Sequence, residues 1–261
     1  RLTEAAKGAT AIYGCVGLPY HRWARDFPPL AAALTAAAEA TGAVLVLLSN
    51  LYGYGPVDGR ITEDLPLAAT GVKGRVRARI WTDARELHDQ GRIRAVEVRA
   101  SDFFGPGVTD GGHLGSRALP QLLRGRTIRV LGDPDVPHSW TYLPDVARAL
   151  VRVAEREDAW GRAWHVPTEP PLSIRDMVAR LAAQAEVPEV PVRQISPAMI
   201  RLASAFSPPL REIQEVRYQL DRPFVVDSTA YTERFGEAPT PIDEQIRETV
   251  AWWRDRLRIP G

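Results

Sequence analysis

The 261-residue sequence is poor in lysine, cysteine and methionine, carries almost no net charge, and contains no long apolar run. A single cysteine, Cys15, rules out an internal disulfide framework and fits a reducing compartment. Cys15 sits in an apolar, strand-like run, which favours a packed core thiol over a nucleophile. The longest apolar stretches, such as Gly42 to Ser49, fall far short of the ~20 residues that a membrane-spanning helix needs. No basic-then-apolar signal segment opens the chain, so a cytoplasmic location and no membrane partner are expected. A net charge of +1 provides no global field for nucleic acid or an anionic surface. The five histidines show no His-x-His or Glu-x-x-His spacing, which argues against a metal site, and no Gly-x-Ser-x-Gly turn supports an acyl-transfer serine. Of the 33 basic residues only Lys7 and Lys73 are lysine, so a lysine at a special position is less readily an accident of composition.

With 45% hydrophobic and 25% charged residues, the chain is of the ordinary globular class. Its first half alternates strand-like and helix-like segments. Ala9 to Val16 reads as a strand, Leu30 to Thr41 as an alanine-rich helix, and Ala43 to Ser49 as a near-continuous apolar strand suited to a sheet covered on both faces. Between the first two, Gly14 to Leu30 reads as a long loop. A helix from about Lys73 to Gln90 follows, with Val76, Ile80, Ala84 and Leu87 as an apolar stripe, and then a strand from Ile93 to Ala100. This alternation predicts βαβ units in an α/β, doubly wound parallel sheet. Beyond Gly105 come Pro- and Gly-rich loops and shorter helices near Pro144–Glu155, Ser173–Ala185 and Pro241–Arg256, with Ser173 placed as an N-cap. The expected division is a Rossmann-type unit over 1–106 and a smaller C-terminal α/β unit over 107–261, with about 140–166 returning to the first sheet.

Five segments, in order, resemble the extended short-chain dehydrogenase/reductase family, in its NAD-dependent epimerase/dehydratase group. "GATAIYGCVG" (Gly8 to Gly17) is similar to the family's fourth strand, and "LLSNLYGYGPVDGRITEDLPL" (Leu47 to Leu67) to its fifth strand and loop. "VRASDFFGPG" (Val98 to Gly107) resembles the Arg-x-x-Asn-Val-Tyr-Gly-Pro-Gly segment after the sixth strand. "IRVLGDPDVPHSWTYLPDVARALV" and "WHVPTEPPLSIRDMVARLA" resemble the two segments that follow. No Gly-x-Gly-x-x-Gly or Gly-x-x-Gly-x-x-Gly turn is present. On the resemblance, the chain is expected to be an N-terminally truncated member, needing the absent part to hold NAD or NADP.

The resemblance implies chemistry by a serine or threonine, a tyrosine, and a lysine four residues later, one helical turn apart on one face. Here Asn50, Lys73 and Arg77 fall on those three positions. Lys73 has three readings: an acid/base or Schiff-base nucleophile, an ammonium against the cofactor ribose, or a solvated helix start with no role. Gly74 would leave room for a close ligand. Asn50 suits orienting a carbonyl, since an amide does not titrate. Tyr52 falls where dehydratases of the family carry an acidic residue and would donate a proton, so Lys73, Asn50 and Tyr52 form the candidate catalytic set. The resemblance assigns Cys15, Val16, Gly17, Ser49, Arg77, Ala100 and Asp102 to the cofactor. It assigns His21, Tyr54, Phe103 and His138 to a small or sugar-like substrate, Tyr54 being a position usually structural in the family. His138 and Ser139 replace the family's Arg-Asp pair, whose arginine faces the diphosphate in nucleotide-sugar enzymes. The reading is an atypical NAD(P)-dependent epimerase, dehydratase or reductase, with a non-catalytic dinucleotide sensor or scaffold as the alternative. A homodimer through the helices at about 30–41 and 73–90 is implied by the same resemblance.

Overall fold

The two apolar runs at the centre of the first half become the middle strands of a parallel sheet in the computed structural model, which describes residues 1–110 and 112–259, with the backbone alone at 208–210. In chain order the main elements are β1 (Ala11–Gly14), α1 (Trp23–Thr41), β2 (Val44–Asn50), α2 (Val72–Asp89), β3 (Arg94–Ala100), β4 (Asp102–Phe104) and β5 (Ile128–Val130). There follow β6 (Trp140–Tyr142), α3 (Leu143–Ala154), β7 (Ala163–His165), α4 (Ile174–Gln184), β8 (Val192–Gln194) and α5 (Ile242–Leu257).

The chain divides into two compact units. The first comprises Arg1–Val57, Thr62–Ala100 and Ala147–Val166. Its four-stranded sheet has the order β1-β2-β3-β7, every neighbour parallel, with Leu45 opposite Ile12 and Ala95, and Val98 opposite Trp164. β2 and β3 are buried along nearly their whole length, as apolar runs between two helical layers must be. Leu34, Ala37 and Ala38 of α1, Trp81 and Ala84 of α2, and Leu45, Leu47 and Ala95 of the strands share one core. Alanines on α1 let that helix lie close to the sheet, and Gly42, in the left-handed conformation at φ 70°, ends it.

The second unit comprises Asp58–Ile61, Ser101–Val146 and Pro167–Gly261, and has its own core of Phe104, Leu122, Ile128, Trp140, Met177, Leu181, Val250 and Trp253. Short parallel pairs, β4 with β6, β5 with β8, and Arg60–Ile61 with Val225–Val226, form its sheet structure. Ser173 caps α4 through a full capping box: its Oγ accepts from the Asp176 amide while Asp176 accepts from the Ser173 amide.

Two expectations need correction. The segment read as a long loop is helical from Trp23 onward, so α1 begins seven residues early and contains Pro28 and Pro29. Two prolines forgo backbone hydrogen bonds, but Trp23 and Phe27 are both buried by this start, each contributing on the order of 2 kcal/mol or more. Cys15 is exposed in the loop after β1 and is no part of the core.

Candidate active site

In open α/β sheets ligands bind beyond the carboxyl ends of the parallel strands. At those ends β1 and β2 each run into a short 3-10 turn, Tyr20–Arg22 after β1 and Tyr52–Tyr54 after β2. The two turns are joined by their phenols: the Tyr20 and Tyr52 hydroxyls lie 2.6 Å apart. Trp23 meets Tyr20 edge-on at 5.1 Å and stacks on Tyr52 at 5.9 Å, while its own Nε1 donates to the Leu18 carbonyl at 2.7 Å. Asn50 orients the second turn, its Oδ1 accepting from the Tyr52 amide at 3.2 Å.

Lys73 enters this cluster from the first turn of α2. It is 1% exposed, with Nζ 5.4 Å from the centre of the Tyr20 ring. Burial on this scale overturns the reading of Lys73 as a solvated helix start. Gly74 is also not a vacancy for a ligand: a methyl there would stand 2.5 Å from the Tyr52 carbonyl oxygen and collide with the Ala69 side chain. The glycine lets α2 press its first turn onto the Tyr52 turn, which brings Lys73 to the phenols.

One turn on, the Arg77 guanidinium lies 4.7 Å from the Trp23 ring and 4.5 Å from Phe27, and donates to the Leu48 carbonyl at 3.5 Å. Its Nε is buried with no hydrogen-bond partner among the described residues. Burial lowers its pKa, opposed by the charge of Glu97 and by Tyr52 and Tyr20. Beside it Gly14, Val16, Leu47, Ser49, Ile80 and Glu97 line a small, largely apolar cavity of about 20 Å³. Arg77, Ser49 and Val16 are thus together, and Cys15 and Gly17 are exposed next to them.

Other predicted site residues lie elsewhere. Tyr54 is 2% exposed, its hydroxyl accepting from Arg99 at 2.5 Å and 2.8 Å from His165 Nε2. Arg99 in turn donates to Glu97 at 2.6 Å, and the His165 amide donates to Glu63 at 2.9 Å. Burial pushes the Tyr54 phenol up to about 12 against the pull of Arg99. Tyr54 is therefore a buried strut between strands, not a substrate contact. His21 is exposed; its neighbours Tyr20 and Trp23 make the contacts. Ala100 is buried at the end of β3.

Asp102, assigned to the cofactor, belongs to the second unit. Its Oδ2 lies 2.5 Å from His138 Nε2 and 3.3 Å from His113 Nε2. His138 is buried, stacked on Phe224 at 5.4 Å and tilted against Trp140. Phe103 is partly buried beside Asp102 in the same strand. Ser139, at the acidic position of the family's pair, accepts from the Val226 amide and so fixes backbone. Tyr20, Arg99, His113 and His165 were not singled out from sequence.

The sequence model of the NAD dependent epimerase/dehydratase family matches residues 30–166, just over half of the chain. The chain belongs to that family. A UDP-glucose 4-epimerase from Mycolicibacterium smegmatis is 25% identical over 214 residues, which are 79% of this chain; the chain spans 60% of the length of that curated relative. The fold is similar to a dTDP-glucose 4,6-dehydratase from Streptomyces venezuelae solved with NAD, at a TM-score of 0.75, with 19% identity and 97% of this chain and 76% of that one covered. A UDP-glucuronic acid 4-epimerase from Bacillus cereus, also in complex with NAD, gives a TM-score of 0.75 with 15% identity, over 98% of this chain and 78% of the other. As a family member the chain has the expected α/β architecture with a parallel sheet. Among the described residues no helix is long and apolar enough to cross a membrane, and no group of three or more His, Cys, Asp or Glu side chains could hold a metal ion.

Proposed function

We propose that this epimerase/dehydratase-family member binds NAD or NADP and transforms a nucleotide-sugar or similar sugar-like substrate with a non-standard catalytic set, Lys73, Tyr52 and Asn50. One observation carries the reading. The lysine at the family's tyrosine position is fully buried against phenols at the ligand-binding end of the sheet, where an idle lysine would instead extend into water.

The residues at hand fit the ribose end of a dinucleotide. The Arg77 Nε lacks a partner and Ser49, Val16 and Gly14 line the adjoining cavity. These four would hold the cofactor, which when bound supplies a hydride acceptor or donor. Lys73 would bear on the ribose hydroxyls or exchange a proton, Tyr52 would donate to or accept from a substrate oxygen, and Asn50 would hold the Tyr52 turn in place. A homodimer through α1 and α2 is part of the proposal, supported by the exposed Val72 and half-buried Val76 on α2.

The replacement of all three family catalytic positions favours a second reading, a cofactor sensor without turnover. Fluorescence titration of NADH and NADPH against the protein, wild type and Arg77→Ala, tests the proposal. Binding with at least about tenfold loss in the variant is expected, from removal of a buried cation contact. Wild type that binds neither nucleotide defeats both readings. Binding without turnover of any UDP- or dTDP-sugar supports the sensor.

A further inference from the structure

The helix that carries the family's tyrosine carries none here, and the phenols come to the same place from two other elements. Tyr20 arrives from the turn after β1 and Tyr52 from the turn after β2, hydroxyl to hydroxyl at 2.6 Å. We propose that Tyr20 is a catalytic residue of this protein, sharing one proton with Tyr52 beneath Lys73 and taking over the acid/base role that α2 lacks. The proposal rests on the family reading above and adds a residue to it.

Three features support the assignment. A contact of 2.6 Å between two hydroxyls is a good O–H···O bond in which one phenol must donate, so loss of the other proton leaves a phenolate already solvated by its neighbour. An ammonium 5.4 Å from the Tyr20 ring centre favours that phenolate, and the near-complete burial of Lys73 keeps water from screening the effect. Trp23 touches both rings, and its own indole is fixed to the Leu18 carbonyl, so the pair is held in one orientation at the ligand-binding edge of the sheet. Two phenols that interact this closely titrate as a unit, with the first ionisation eased and the second opposed.

The step assigned to the pair is a proton transfer. The O–H bond of a substrate hydroxyl breaks, its proton bonds to the phenolate oxygen, and the electron pair stays on the substrate oxygen. In the reverse direction the phenol returns the proton. Among the seven tyrosines, Tyr54 and Tyr218 are pushed up to about 12 by burial, and Tyr13 and Tyr142 are also raised. A phenol that ionises early therefore stands apart from most of the others.

The test is a pH titration of tyrosinate absorbance in the near ultraviolet on the protein without added nucleotide, for wild type, Tyr20→Phe, Tyr52→Phe and Lys73→Met. One phenol in the wild type is expected to ionise below the ordinary value of about 10. That ionisation should vanish or move up in Tyr20→Phe and in Tyr52→Phe, and move up in Lys73→Met. A wild type with no early phenol overturns the proposal, as does an early phenol that persists in Tyr20→Phe. Circular dichroism confirms folding, and if one variant fails to fold the other Tyr→Phe variant gives the same reading. NADH titration of Tyr20→Phe separates the two proposals. Unchanged binding with the early phenol lost supports Tyr20, whereas a wild type that binds no nucleotide removes the family function on which the assignment rests. On any sugar nucleotide the wild type turns over, Tyr20→Phe should lower kcat by about 10²-fold or more with little change in KM.

Discussion

Asp102 sits between His138 and His113. Burial alone would raise the Asp102 pKa, but the charges and hydrogen bonds of the two imidazoles outweigh it and hold the carboxyl well below the usual range. Burial likewise pulls His113 down, yet Asp102 outweighs it and His113 is raised. A depressed carboxylate contributes stability that is lost only as pH falls through its lowered folded pKa. A raised imidazole contributes stability that is fully present below about 6.5 and lost as pH rises through its folded pKa. The alkaline side is therefore where this cluster weakens. We expect the urea midpoint to fall as pH is raised from about 6 to about 9, and His113→Gln to flatten that dependence. An equal slope in the variant would place the titrating group elsewhere. Sequence alone named Asp102 and His138 but gave them separate tasks, and counted His113 among scattered histidines. Nothing periodic links residues 102, 113 and 138; only the folded loops do.

Gly74 sets two helix rules against each other. Alanine in place of a helical glycine gains about 1 kcal/mol from propensity, but here the added methyl meets the Tyr52 backbone at 2.5 Å and overpacking costs about 1–3 kcal/mol. Gly74→Ala should therefore be neutral to destabilising, by up to about 2 kcal/mol in denaturant unfolding, in spite of its better propensity. A gain in stability would mean that α2 does not approach the turn this closely. Elements governed by local rules were legible in advance: β2 and β3 fall within one residue of their expected spans, and the Ser173 cap is in place. Elements governed by tertiary burial were not. The start of α1 depends on where Trp23 and Phe27 pack, past a Pro-Pro pair that reads as a boundary. On α2 the apolar stripe Val76, Ile80 and Leu87 is only half-buried, while the inward face is Lys73, Gly74, Trp81 and Ala84. A "KGRVRAR" run gives no hint that its lysine turns inward.

The first unit is assembled from three stretches of chain, and its last strand arrives long after the others. β7 pairs with β3 through Val98↔Trp164 and its neighbours, and the adjoining chain adds hydrogen bonds from the Glu97 amide to Arg162, from the Gly161 amide to Ala95 and from the Val166 amide to Arg99. A chain ending at residue 146 would expose that strand edge and remove His165 from Tyr54. Such a fragment is expected to aggregate and to show no cooperative melting, whereas a soluble monomer with a sharp transition would mean that the three remaining strands suffice. The same arrangement imposes an order in time. As the chain leaves the ribosome, Glu97, Arg99 and Tyr54 must wait some 65 residues, several seconds at about 5–20 residues per second, before the strand that covers them emerges. A nascent-chain chaperone would find the edge of β3 exposed throughout that interval.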